Sequence, residues 1–101
     1  MQKVHFPIPQ EKIASFCKKH HIEKMSLFGS VLTPQFKSSS DIDFLVVFDP
    51  HYHPGLFNLV DMEEELSEIV GRTADLRTPG DLSRFFRDEV VEQAHPIYAE
   101  S

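Results

Sequence analysis

Hydrophobic and polar positions recur along this chain with two different periods, and the switches between them mark out its elements. Ile13, Phe16, Cys17 and His20 follow one another at steps of three and four behind Pro9, which suits the first turn of a helix, so the spacing predicts a helix over 9–20. Ile22 to Phe28 reads as a first strand that stops at Gly29, and Ser30 to Leu32 as a single helical turn halted near Pro34. Ile42 to Phe48 is mostly apolar on both sides of the alternation, the pattern of a central strand. Asp49-Pro50 and Pro54-Gly55 bracket a turn. Leu56, Leu59, Val60, Glu63, Leu66, Ile69 and Val70 restore the helical period, with Gly71 placed to end it, which predicts a second helix over 55–70. Thr73 to Arg77 reads as a third strand and Thr78-Pro79 as a turn. Leu82, Phe85, Phe86 and Val90 support one or two short helices over 81–94, and Pro96 to Ala99 reads as a short last strand or an extended tail.

Length and composition narrow the class. A chain of 101 residues makes one small domain, 1–101, burying roughly two-thirds of its unfolded surface. The formal charge is −6 and there is no long basic run, which argues against direct nucleic-acid binding. The single Cys17 excludes an internal disulfide and fits a reducing compartment. No apolar stretch approaches ~20 residues and no secretory pattern precedes the first element, so the expectation is a cytoplasmic protein without a membrane partner.

The chemistry concentrates in one stretch. Leu27-Phe28-Gly29-Ser30 is followed, after ten residues, by Asp41-Ile42-Asp43 at the head of the apolar run Phe44-Leu45-Val46-Val47. Residues i and i+2 of a strand point to the same face, so Asp41 and Asp43 are expected side by side. Two carboxylates that close repel unless one is protonated or a cation lies between them. Aspartate is also uncommon inside strands, where nothing solvates its charge. Oxygen ligands on a rigid strand suit Mg²⁺, which keeps waters and is completed by substrate phosphates. Gly29 allows close backbone approach, and Ser30 can open a helical turn whose first N–H groups face an anion. Together they suggest a Mg²⁺-bound triphosphate. An acidic protein binds such a ligand through metal and local dipoles rather than through its overall field.

Gly-Ser, ten residues, then Asp-x-Asp resembles the motif of the DNA polymerase β-like nucleotidyltransferases, and the small size is similar to the minimal nucleotidyltransferase (MNT) group. The resemblance extends through Pro54 to Leu59, Glu63 to Leu66, Asp75-Leu76-Arg77-Thr78-Pro79 and Phe86 to Val90. It implies an α+β (α/β two-layer) fold, with a small mixed β-sheet and helices packed on one face. It implies that Asp75 is the third catalytic carboxylate, on a strand beside that of Asp41 and Asp43. On this reading Asp41, Asp43 and Asp75 hold two Mg²⁺ ions, Gly29 and Ser30 seat the nucleotide, and ATP is the substrate. It further implies a HEPN-domain toxin as partner in a hetero-oligomer, with AMP added to one of its tyrosines, so that the chain acts as antitoxin. One departure stands out: many members carry an Arg-containing segment after Gly-Ser, where this chain has Val31-Leu32-Thr33-Pro34 and its nearest cation is Lys37. The chain also stops soon after the core, which leaves the acceptor half to a partner. A non-catalytic nucleotide-binding module, and a small subunit of an antibiotic-modifying transferase, remain as alternatives.

Other candidates have plainer readings. Arg77 shares a strand face with Asp75 and either contacts phosphate or pairs on the surface, and Arg72 is a second possible partner for Asp75. His51 and His53 form a His-x-His pair in a Pro-rich turn with no third ligand, so a solvated loop is expected. His20-His21 suit a helix C-terminus, Cys17 an apolar core face, and Glu63-Glu64-Glu65 the wet side of the second helix. Phe85, Phe86 and Tyr98 are divided between core and a partner surface.

Overall fold

The structure, a computed structural model, describes residues 7–34, 36–37 and 40–100. Helix α1 spans Gln10–Lys19, strand β1 Ile22–Phe28, β2 Ile42–Phe48, helix α2 Leu56–Val70, β3 Ala74–Arg77, α3 Arg87–Gln93 and β4 His95–Ala99. Short 3₁₀ turns occupy Gly29–Leu32 and Pro79–Asp81. The four strands form one mixed sheet in the order β3-β2-β1-β4. β1 runs antiparallel to β2 and β4, while β2 and β3 are parallel. Parallel neighbours need a long crossover, and α2 provides it.

One face of the sheet carries the main core. Ile13, Phe16 and Cys17 of α1 and Met62, Leu66 and Val70 of α2 meet Met25 and Leu27 of β1 and Ile42, Phe44 and Val46 of β2, all of them buried. Each such aliphatic or aromatic side chain contributes about 1.5–3 kcal/mol by leaving water. Burial pushes the Cys17 thiol up to about 12, so it stays an uncharged core residue at neutral pH. Alternation sends Asp43 and Leu45 to the opposite face. Leu45 is nonetheless buried, and the Pro79–Asp81 turn packs beside β2 on the path joining the two edge strands.

The ends of the helices follow from local chemistry. Glu11 lies in the first turn of α1 and Lys18 and Lys19 in its last, which complements the helix dipole. His20 stacks on Phe16 with centroids 4.7 Å apart and meets Glu65 of α2 at 3.0 Å, where Lys19 also binds. Gly71 ends α2 at φ +73, a left-handed conformation, and both its N–H and that of Arg72 donate to the Ser67 carbonyl.

α2 departs from its expected face. Leu56 is 73 % exposed, Phe57 84 % and Val60 44 %, while Met62, outside the expected stripe, is buried. The reason is rotation: Leu59, Met62, Leu66, Ile69 and Val70 form the stripe that meets the core, and at about 100° per residue Val60 falls well outside it and Phe57 opposite it. Glu63 was expected to be solvated, yet its Oε2 accepts the Leu76 N–H at 2.8 Å and so occupies a backbone donor of the edge strand β3. The last segment resolves into the Pro79–Asp81 turn and α3, and the extended tail into β4.

The Glu63 contact gives a measurable expectation. Glu63→Ala orphans the Leu76 N–H and should cost about 1 kcal/mol, a fall in Tm of roughly 4–8 °C for a domain of this size. Glu63→Gln keeps an acceptor and should lose less than half of that in a calorimetric melt. Equal losses would mean that the hydrogen bond contributes nothing.

Candidate active site

The parallel register of β2 on β3 sets the centre of the site. It aligns Asp43 with Asp75, so the two carboxylates stand on adjacent strands on the same face. On the other side β2 is paired antiparallel with β1, and Asp43 is aligned with Phe28. The next residue, Gly29, is thereby brought against Asp43. Its φ of +80° is one that side chains disfavour, and a Cβ at this position would run into Asp43 Oδ2. The backbone conformation thus calls for glycine, and any side chain here would also displace the Asp43 carboxylate.

The single helical turn expected over Ser30 to Leu32 is present as a 3₁₀ turn over Gly29–Leu32, with Phe28 in the capping position and no side-chain cap. So short a turn sums few peptide dipoles, so Ser30 offers its hydroxyl and local N–H groups rather than a helix macrodipole. The turn is closed by Thr33, whose N–H and Oγ1 both donate to the Ser30 carbonyl at 2.9 and 2.8 Å. Val31 plugs the core and is fully buried.

The electrostatics identify Asp43 as the stressed group. Its carboxyl is pushed above the ordinary aspartate value, first by burial, then by the negative charges of Asp75 and Asp41; Arg77 acts in the opposite sense. Asp75 Oδ2 lies 3.9 Å from the Arg77 guanidinium, with both side chains more than a third exposed. A pair of that length and exposure is worth less than about 1 kcal/mol, so a cation can displace it. Arg72 points elsewhere and does not serve as the partner of Asp75. Among the described residues no three His, Cys, Asp or Glu side chains close into a cage able to hold a metal by themselves. Asp41 is exposed, one residue ahead of β2. A pair of in-register carboxylates with a third nearby still fits Mg²⁺, which binds through one or two carboxylates plus water and phosphate oxygens.

Two features escaped the sequence reading. Arg72 donates from one guanidinium nitrogen to the carbonyls of Lys37 and Ser40, and its guanidinium lies 4.3 Å over the Phe36 ring. A lone arginine in a turn has no periodic signature, and main-chain acceptors leave none. Beside the Gly29 turn lies an open cleft of about 340 Å³ lined by Phe28, Gly29, Leu32, Thr33, Val90 and Gln93. Val90 had read only as a helix-stripe residue. His51 and His53 are both exposed. Phe85 is 80 % and Phe86 61 % exposed, whereas Tyr98 is half-buried against the core and pairs across from Met25.

Comparison with known proteins agrees with this geometry. Residues 11–101 match the family model described as polymerase beta, nucleotidyltransferase. A Methanocaldococcus jannaschii protein, provisionally named a protein adenylyltransferase, is 32 % identical over 84 % of this chain and 89 % of its own length. A second from the same organism, with the same provisional name, is 29 % identical over 75 % of this chain and 76 % of its own. Among solved structures, one provisionally assigned as a minimal nucleotidyltransferase superposes with a TM-score of 0.71 at 26 % identity, covering 86 % of this chain and 87 % of that one. The fold also recurs at TM-score 0.74 and 19 % identity in a toxin–antitoxin structure with AMP-PNP, over 93 % of this chain and 76 % of that one. At TM-score 0.64 and 20 % identity it recurs in a complex of tri-AMPylated Shewanella oneidensis HEPN toxin with MNT antitoxin, over 89 % and 69 %. With nine-tenths of its length matched to the family model and its carboxylates gathered at the Gly-Ser turn, the chain belongs to the polymerase β nucleotidyltransferase family.

Proposed function

We propose that this chain transfers AMP from ATP to a tyrosine hydroxyl of a HEPN-type partner and acts as its antitoxin. The observation that carries the nucleotidyl-transfer half is the in-register pair Asp43–Asp75 beside Gly29. The protein adenylyltransferase names of the relatives and the AMPylated toxin in a complex of the same fold support the acceptor half. Asp41 and Asp43 would hold Mg²⁺ with the triphosphate, and Gly29 and Ser30 would seat its β- and γ-phosphates. When bound, the metal would supply neutralisation of charge on the reacting oxygens. The acceptor oxygen bonds to the α-phosphorus as the bond from that phosphorus to the β-bridging oxygen breaks, releasing pyrophosphate. Asp75, which also completes the carboxylate set, takes the hydroxyl proton. Most of the acceleration is positioning and electrostatic stabilisation.

A second reading, neutralisation of the partner by contact alone, draws on Val31. That position, after Gly-Ser, carries a buried apolar side chain rather than a cation that could meet the phosphates. Incubation of the chain with ATP labelled at the α-phosphate, Mg²⁺ and an all-helical protein encoded beside it separates the two. Label on a tyrosine of that protein supports transfer. A stable complex with no label supports the contact reading, and label on a small molecule alone contradicts both.

Three outcomes at the residues follow. Mg²⁺ and ATP together should raise Tm by mass action, and the double change Asp41→Asn, Asp43→Asn should abolish that rise; a preserved rise removes the metal assignment. Asp75→Asn should slow transfer by about 10²-fold with nucleotide binding largely kept, and normal transfer contradicts its role as base. The third is a dependence on pH. The folded-state value of Asp43 is raised, so the folded protein binds a proton more readily than the unfolded chain, and its stability falls as pH climbs through that folded value. Asp43→Asn should therefore raise Tm of the ligand-free protein at neutral pH. The gain should shrink as pH drops towards the ordinary aspartate value, and a gain that is flat with pH contradicts the assigned cause.

A further inference from the structure

The residue ahead of β2 is held from outside its own strand. Asp41 is exposed, so its position depends on the backbone on either side of it. On the C-terminal side Ile42 N–H donates to the Thr73 carbonyl at 3.0 Å. On the N-terminal side lies a turn closed on itself: Ser40 N–H donates to the Lys37 carbonyl, and Lys37 N–H to Ser40 Oγ, both at 3.0 Å. Arg72 bridges that turn, donating to the carbonyls of Lys37 and Ser40, while its guanidinium covers the Phe36 ring. The root of Arg72 is itself fixed. Its N–H donates to Ser67 at the end of α2, and its neighbour Thr73 supplies the acceptor for Ile42.

We infer that Arg72 is a positioning residue for Asp41: it clamps Phe36, Lys37 and Ser40 to the α2–β3 junction and thereby sets where the first carboxylate would meet the metal-bound triphosphate. This rests on the nucleotide reading above. The guanidinium presents several donors in a rigid plane that can satisfy two carbonyls and stack on a ring at once. A lysine ammonium could also donate to both carbonyls from one nitrogen, but it has no planar group to stack on the Phe36 ring, so charge alone does not replace arginine. The arrangement also couples the two acidic strands. The α2–β3 junction that places Asp75 in register with Asp43 is the same junction from which Arg72 reaches the turn before Asp41.

The test uses the intact chain with Mg·ATP as probe. Arg72→Ala should weaken Mg·ATP binding about tenfold by calorimetry and raise amide exchange at Ser40, Asp41 and Ile42, with exchange in α1 and β1 unchanged. Arg72→Lys should resemble Arg72→Ala in both readouts. In a double-mutant cycle with Asp41→Asn, the combined loss of binding should be no greater than the larger single loss, because both changes act through one carboxylate. Full rescue by lysine, strict additivity with Asp41→Asn, or unchanged exchange at 40–42 each overturns the inference. If the unmodified chain binds no Mg·ATP, the nucleotide reading falls and the role for Arg72 at the metal falls with it. The exchange readout then still decides whether the clamp exists.

Discussion

Parallel pairing of β2 with β3 places two carboxylates side by side on one face of the sheet, and burial together with their repulsion sets the character of the site. Asp43 faces Asp75 in register, with Asp41 ahead of it, and its carboxyl is held above the ordinary aspartate value by burial and by these neighbours. A fold that needed only stability would place apolar or hydrogen-bonding side chains there. A divalent cation bound as proposed would offset that cost.

Several residues far apart in sequence exist to hold that arrangement. Gly29 gives up its side chain so that the end of β1 can lie against Asp43. Glu63 occupies the Leu76 N–H of a four-residue edge strand that carries Asp75. The αL turn at Gly71 sends the chain from α2 directly into that strand. The packed side of the sheet, with Ile42, Phe44 and Val46 buried against α1 and α2, anchors the alternate residues on the opposite face, Asp43 among them.

Much of this was legible from residue order. The strands Ile22–Phe28 and Ile42–Phe48 and the Gly71 helix end sit where period and turn chemistry place them, because those signals are local. The Gly-Ser turn and the Asp-x-Asp strand could be matched to each other only because a fixed spacing joins them. Elsewhere the governing information is tertiary. The exposure of Leu56, Phe57 and Val60 follows from how α2 is turned on the sheet to bury Met62, which its own stripe does not encode. Glu63 reads as one of three solvated acids until β3 brings a bare N–H to it. Arg72 acts on main-chain carbonyls of a turn more than thirty residues away, and carbonyls carry no sequence signal.

Carboxyl-detected NMR titration of Asp43 tests the central claim most directly. In the ligand-free chain Asp43 should titrate above the ordinary aspartate value, Asp75→Asn should lower its midpoint, and Mg²⁺ with ATP should lower it further still. An Asp43 that titrates at the ordinary value, and whose midpoint ignores both the Asp75 charge and Mg²⁺ with ATP, would contradict the account.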